Sequence, residues 1–251
     1  MKKIIATAAA IAVSAISAFA FDVTLGARGN VNFGLGTTLP ETASRSLDST
    51  RNAVKAANGT LNEGGNIGGG FGVYVNFGLV DLGPGSLGLQ PEFDMNFNNG
   101  YNFAAKMTYS GTSTEMGLTS SDNTIDIPLL VTYKADIGSI FTLGGGVGPY
   151  LSIPVGLDQV TVYKNGSSSP TTTKASDTMD MKADLNFGMA FDVNAGWKLG
   201  PGSIVLDCRY MLDFTPTKIS SKPKSGSTWS NPSEAFTRRG LSVGVGYQYK
   251  F

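Results

Sequence analysis

The residues best placed to do chemistry in this chain are two carboxylates, Glu92 and Asp94. Spaced two apart, they would share one face of a strand. Such a pair can divide the roles of general acid and general base. Arg28 and Arg209 could neutralise the pair instead, and no neighbouring segment reads as a substrate cleft, so a paired-ion reading is preferred. A second candidate is GGGVGPY, Gly144 to Tyr150, which repeats the shape of GGGFGVY, Gly68 to Tyr74. A phosphate-binding loop needs a helix whose N-terminus faces the anion, usually opened by a Lys-Ser or Lys-Thr pair. Pro149 and more strand-like sequence follow here, so the glycines read as packing positions. The chain has no histidine, which removes His-based triads and His metal sites. Its one cysteine, Cys208, allows no intramolecular disulfide and falls on an apolar face. No catalytic residue, metal ligand or cofactor is expected.

Strands must position these side chains. Period-2 alternation runs through Phe21–Leu35, Ile67–Val80, Leu87–Tyr109, Ile125–Lys134, Ile140–Ile153, Lys182–Trp197, Ile204–Phe214 and Leu241–Phe251. Each is long enough for the roughly 9–11 residues of a tilted bilayer-crossing strand. Between them, 36–66, 110–124, 154–181 and 215–240 are long and polar, whereas 81–86, 135–139 and 198–203 are short. Two short links carry one motif, Leu82-Gly83-Pro84-Gly85-Ser86 and Leu199-Gly200-Pro201-Gly202-Ser203, which fits a tight turn. Long loops alternating with short turns predict an all-β fold, an eight-stranded antiparallel transmembrane barrel of the bacterial outer membrane. Residues 1–20 fit a signal peptide, with Lys2 and Lys3 before an apolar run and Ala18-Phe19-Ala20 as cleavage site. The barrel then occupies 21–251. With 19 basic and 19 acidic residues, the chain is not expected to bind nucleic acid.

Charge separates the two faces. One face carries Asp22, Arg28, Glu92, Asp94, Lys106, Asp126, Lys134, Lys182, Asp184, Asp192, Asp207, Arg209, Asp213 and Lys250. The other carries Phe and aliphatic residues in numbers that a narrow eight-stranded interior could not hold. The apolar face is therefore expected against outer-membrane lipids and the charges in the lumen, as a plug of paired ions. Glycines of the two repeats would leave room there for Arg28, Arg209, Tyr74 and Tyr150. Tyr133, Phe141, Trp197, Tyr247 and Phe251 are predicted to form one aromatic girdle, and Phe33, Phe71, Tyr101, Tyr210 and Phe214 the other.

Ile125-Asp126-Ile127-Pro128-Leu129-Leu130 and Gly146-Val147-Gly148-Pro149-Tyr150 resemble paired strand motifs of the PorT-like outer-membrane β-barrel domain family. The resemblance implies an integral eight-stranded barrel and transfers no catalytic residues. The ending, with Gly246, Tyr249 and Phe251, is similar to the signal read by the barrel assembly machinery, although Gly244 stands where a polar residue is expected.

Loop 215–240 sets Lys218, Lys222, Lys224, Arg238 and Arg239 against Glu234 alone. These bases could meet an anionic surface or a host ligand, or they could merely keep the loop soluble; none of the three lysines is expected in a strand. Two functions follow: a plugged barrel with a structural or loop-display role, or a small porin-like conduit for small or hydrophobic solutes.

Overall fold

The alternating stretches close into a ring of eight strands in the computed structural model, which describes residues 22–251. The leader assigned to 1–20, and Phe21, lie outside the described residues. The strands are β1 (Asp22–Phe33), β2 (Thr60–Gly65), β3 (Ile67–Leu82), β4 (Gly85–Tyr109), β5 (Thr112–Ile137), β6 (Phe141–Asn165), β7 (Thr171–Lys174), β8 (Met179–Ala183), β9 (Asn186–Leu199), β10 (Gly202–Asp213), β11 (Thr217–Pro223), β12 (Ser233–Phe236) and β13 (Arg239–Lys250). Two helices accompany them, α1 (Glu41–Ala56) and α2 (Ala175–Thr178). The ring runs β1-β3-β4-β5-β6-β9-β10-β13 and back to β1, antiparallel throughout. Closure is set by pairs such as Arg28 opposite Gly246 and Val31 opposite Val243.

At one end the turns are tight. Gly83, Gly138 and Gly200 have φ of 66°, 65° and 62°. That left-handed conformation favours glycine, which explains the repeated Leu-Gly-Pro-Gly-Ser.

At the other end the loops are more ordered than their polarity suggests. Residues 110–124 are not a long loop: β4 and β5 continue to a turn at Ser110 and Gly111. Beyond the apolar belt a strand needs only its backbone ladder, so hydrophobic alternation disappears from the sequence while pairing persists. Segment 154–181 holds the end of β6 with β7 and α2, and 215–240 holds β11 and β12, which join β8 in a three-stranded sheet. Lys218 and Lys222 therefore lie in a strand, not in a loose loop.

A register shift between Asn96 and Asn99 on β4, with Asn98 at φ 58°, reverses which residues face inward. Tyr101, Phe103 and Ala105 turn into the interior and meet Val54 of α1 and Phe236 of β12, with Leu47, Met116 and Leu118 packed around them. Tyr101 is thus a core residue and not part of a girdle. Lys106 is outside the lumen, where it pairs with Glu115 at 2.8 Å. Phe103 and Phe236 are fully buried, and burying such a side chain contributes about 1.5–3 kcal/mol. Residues 36–66 accordingly fold back as a cap over the interior.

Candidate functional site

The lumen is where the charges converge. In the ring order, β10 and β4 lie on opposite sides, and Arg209 reaches from one to the other. Its Nη1 donates to Glu92 Oε2 at 2.6 Å and its Nη2 to Glu92 Oε1 at 2.9 Å. Its Nε and Nη2 also donate to Asp192 of β9, at 3.3 and 3.2 Å. Arg28 of β1 donates to Glu92 at 2.7 Å and to Asp94 at 2.8 Å. Gln90 and Asn194 complete the carboxylates' bonding, each at 2.7 Å. The side chains of Arg209 and Glu92 are 2% and 0% exposed, so the centre of the ion cluster is shut off from water. Four strands contribute to one knot of charge.

A second strut lies in the next layer. Arg238, immediately before β13, spans to Asp126 on the opposite strand β5, with both contacts at 3.2 Å. It also donates to Thr124 and Ser152, at 3.2 and 3.1 Å, and lies 3.5 Å from Asp213. The Tyr150 hydroxyl donates to Asp213, and Asn96 donates to Asp126 at 2.8 Å. Charges this deep require partners, because removing an ion from water costs several kcal/mol. The sequence supplies those partners from strands far apart in the chain.

The glycines that make room for Tyr74 and Tyr150 lie outside the two repeats, whereas within the repeats a Cβ at Gly72 would strike the Asp94 carboxylate and one at Gly144 the Asn194 amide. A Cβ at Gly26 would collide with the Tyr74 ring, and one at Gly188 would approach the Tyr150 hydroxyl to 2.8 Å. β6 continues straight through the GGGVGPY stretch, without the helix that a phosphate loop needs. Beneath the ion cluster, at the short-turn end, a vestibule of about 550 Å³ is lined by Asp22, Lys134, Asp136, Lys198, Gln248 and Lys250 among others. Lys134 at its inner limit hydrogen-bonds Gln248 at 3.3 Å.

Of the charges assigned to the lumen, Arg28, Glu92, Asp94, Asp192 and Arg209 meet in one cluster. Asp126 belongs to the second strut, and Asp207 is buried beside the first, with one carboxylate oxygen unpartnered. Asp184 does not belong. It is exposed in the link between β8 and β9, where the backbone leaves the strand, and its N–H donates to the Lys218 carbonyl at 3.0 Å. Lys182 is likewise outside the lumen, near Trp229. Asp22 and Lys250 pair at the rim, at 2.6 Å.

Arg238 corrects the expectation in the other direction: read as a surface base, it is 6% exposed and forms the second strut. Its parity with Ser242 and Gly244, both inward-facing, was the available signal. Arg239, the next residue, is exposed, as is Lys224. Of the C-terminal residues, Gly246 faces Arg28 across the ladder, whereas Tyr249 and Phe251 point outward with rings 5.0 Å apart.

The outer face is the inverse of the lumen. Phe71, Phe93, Val131, Leu143, Phe191, Val193, Leu206, Val243 and Val245 all expose 45% or more of their surface. Bare apolar surface on so many strands of the ring is stable only in lipid. At the short-turn end Phe141 and Trp197 stack at 5.9 Å, with Tyr133 and Tyr247 also exposed, and at the other Phe187 and Phe214 meet edge to face at 5.6 Å. Aromatic pairs at both edges of the belt mark the two membrane interfaces. This is a bacterial outer-membrane β-barrel. Its short turns are periplasmic and its long extensions extracellular.

No family model matches the chain, and no curated protein sequence does. Solved structures that resemble it are outer-membrane proteins. OprG from Pseudomonas aeruginosa is 13% identical, with 92% of this chain and 96% of that one covered, at a TM-score of 0.46. A major outer membrane protein from Thermus thermophilus is 14% identical over 91% and 99%, at 0.44. The outer membrane protease OmpT from Escherichia coli is 10% identical over 92% and 96%, at 0.38.

Proposed function

We propose that this barrel is a closed scaffold with a structural or surface-binding role, displaying ordered extracellular extensions above a plugged lumen. The observation that carries this reading is the pair of struts, Arg209 to Glu92 and Arg238 to Asp126, each joining opposite strands across the interior. The capping core around Val54 and Phe236 adds a third obstruction. Both arginines saturate Glu92 and Asp94, which leaves neither carboxylate free for acid–base chemistry and supports a non-enzymatic role. The C-terminal Tyr249 and Phe251, facing lipid at the end of the closing strand, suit hand-over by the barrel assembly machinery. The motifs at Ile125–Leu130 and Gly146–Tyr150 support a PorT-like relationship.

A conducting alternative draws on the vestibule of about 550 Å³, which gives the periplasmic mouth the shape of a pore entrance. Liposome swelling with small sugars tests the choice. The closed reading expects swelling no faster than that of protein-free vesicles. Swelling that scales with the amount of barrel would establish the conduit.

A further inference from the structure

The cap has a strong part and a weak part. Its strong part is β2, laddered to β4 from Thr60 opposite Lys106 to Gly65 opposite Tyr101. Its weak part is α1. Among the described residues, one side chain hydrogen-bonds this helix to the rest of the protein: Arg51, which donates to Glu63 at 3.0 and 2.8 Å. Their side chains are 21% and 32% exposed, so water and salt screen the pair. Pro40 gives the helix no side-chain cap, and 16 residues make a marginal helix in water. What holds α1 down is Val54, 2% exposed, with Leu39 and Leu47 partly buried beside it.

The helix is a strap anchored at both ends. Thr38 is bridged to Thr237 by two backbone hydrogen bonds, of 3.1 and 2.8 Å. At the other end Gly59 lies so close to β4 that a Cβ there would come within 2.3 Å of the Lys106 carbonyl. Just before it, Asn58 turns the chain at φ 50°. Residues 39–58 can therefore lift while Thr38 and Gly59 stay in place. Segments with few buried contacts open far more readily than a packed core.

The surface under α1 does not depend on it. Tyr101, Phe103 and Ala105 belong to β4, which is paired with β2 on one side and β5 on the other. Phe236 of β12 pairs with Thr217 of β11, and Met107 and Met116 border the cluster. Lifting the strap uncovers a preformed apolar cup. The Tyr101 hydroxyl at its edge is already committed to Glu63, at 3.2 Å. A molecule in the cup thus finds no ion to pair with; it needs apolar surface to match what Val54, Leu39 and Leu47 bring. The two methionines can adapt to its outline.

We propose that α1 is a lid, and that the cup beneath it binds a small uncharged apolar molecule with the bulk of an aromatic ring. In the ligand-free barrel Val54 takes the place of that molecule. This site deepens the surface-binding reading, on which it rests, by naming the class of molecule bound.

Toluene serves as the probe, added to the barrel in phosphocholine nanodiscs. Two readouts follow the lid: trypsin cleavage after Lys55, which is exposed on α1, and labelling of an Ala105→Cys thiol beneath it by a charged maleimide, in a Cys208→Ser background. Both track the open population when opening and closing are fast. At about ten times its dissociation constant for the open cup, toluene should speed cleavage about tenfold, because the liganded barrel stays open. The thiol should gain nothing, since toluene covers it. Val54→Ala without toluene should instead speed both together, roughly 10–20-fold for the two methyl groups no longer buried. Met116→Cys, opposite Ala105 in the ladder, supplies a second thiol where Ala105→Cys unsettles the cup, and unchanged heat-modifiable gel mobility confirms a folded barrel. Cleavage indifferent to toluene would overturn the proposal. Equal acceleration of cleavage and labelling by toluene would overturn it too, as the mark of a loosened cap with nothing bound. Swelling of the liposomes would remove the closed scaffold and leave the cup standing, whereas a cup indifferent to toluene in a silent barrel would fail alone.

Discussion

At the scale of single residues, the lumen shows why a buried arginine is hard to replace. Arg209 satisfies Glu92, Asp94 and Asp192 together, so its removal leaves Glu92 and Asp94 to share Arg28 and leaves Asp192 with Asn194. Breaking a buried pair by deleting one partner costs about 3–5 kcal/mol. Arg209→Ala should therefore lower the urea midpoint of unfolding, followed by gel mobility, by an amount equivalent to that loss. Adding Glu92→Gln should recover part of it, because the orphaned charge disappears. No recovery in the double variant would mean that packing, not charge, sets the penalty. Much of this cluster is legible in the sequence, since Arg28, Glu92, Asp94, Asp192 and Arg209 all obey period-2 parity. Arg238 is not, because a short polar stretch before Leu241 looks like loop; only its parity with Ser242 places it inside.

At the scale of elements, the cap formed by residues 36–66 was hidden for a different reason. α1 is polar on most of its surface and buries few residues, chiefly Val54 and Leu47, too weak a pattern to separate from a soluble loop. Its ties are specific nonetheless. Arg51 holds the Ser44 carbonyl at 2.9 Å and Glu63 at 2.8 Å, and the Tyr101 hydroxyl donates to the same carboxylate at 3.2 Å. Val54→Asp should release the cap and make Lys55 a trypsin site on the folded barrel, whereas Arg51→Ala, losing partly exposed ion pairs, should accelerate cleavage only slightly. Burial, and then the Glu63 charge, raise the Tyr101 pKa above its ordinary value. An unfolded tyrosine ionises near pH 10, so Tyr101 contributes fully below that pH and loses its contribution as pH rises through the higher folded value. Spectrophotometric titration should show a late-ionising tyrosine whose amplitude falls in Tyr101→Phe. Unchanged amplitude would place Tyr101 in contact with solvent.

At the scale of the whole molecule, eight strands, the apolar belt and the short turns follow from alternation and from the Leu-Gly-Pro-Gly-Ser repeats. The height of the extracellular walls does not, since paired strands in water need no apolar face to announce them. The resulting topology has a direct consequence: a thiol at Ser225→Cys, in a Cys208→Ser background, should react with a membrane-impermeant label on intact cells, and one in the Gly138 turn should not. The central claim is closure of the lumen by two charged struts. Single-channel recording in planar bilayers tests it most directly, comparing the wild-type barrel with Arg209→Ala and Arg238→Ala. A lumen closed in this way gives no discrete steps from the wild type, with any conductance confined to the variants that have lost a strut. Stable steps from the wild type, altered in size by either substitution, would show that ions pass the very residues assigned to block them.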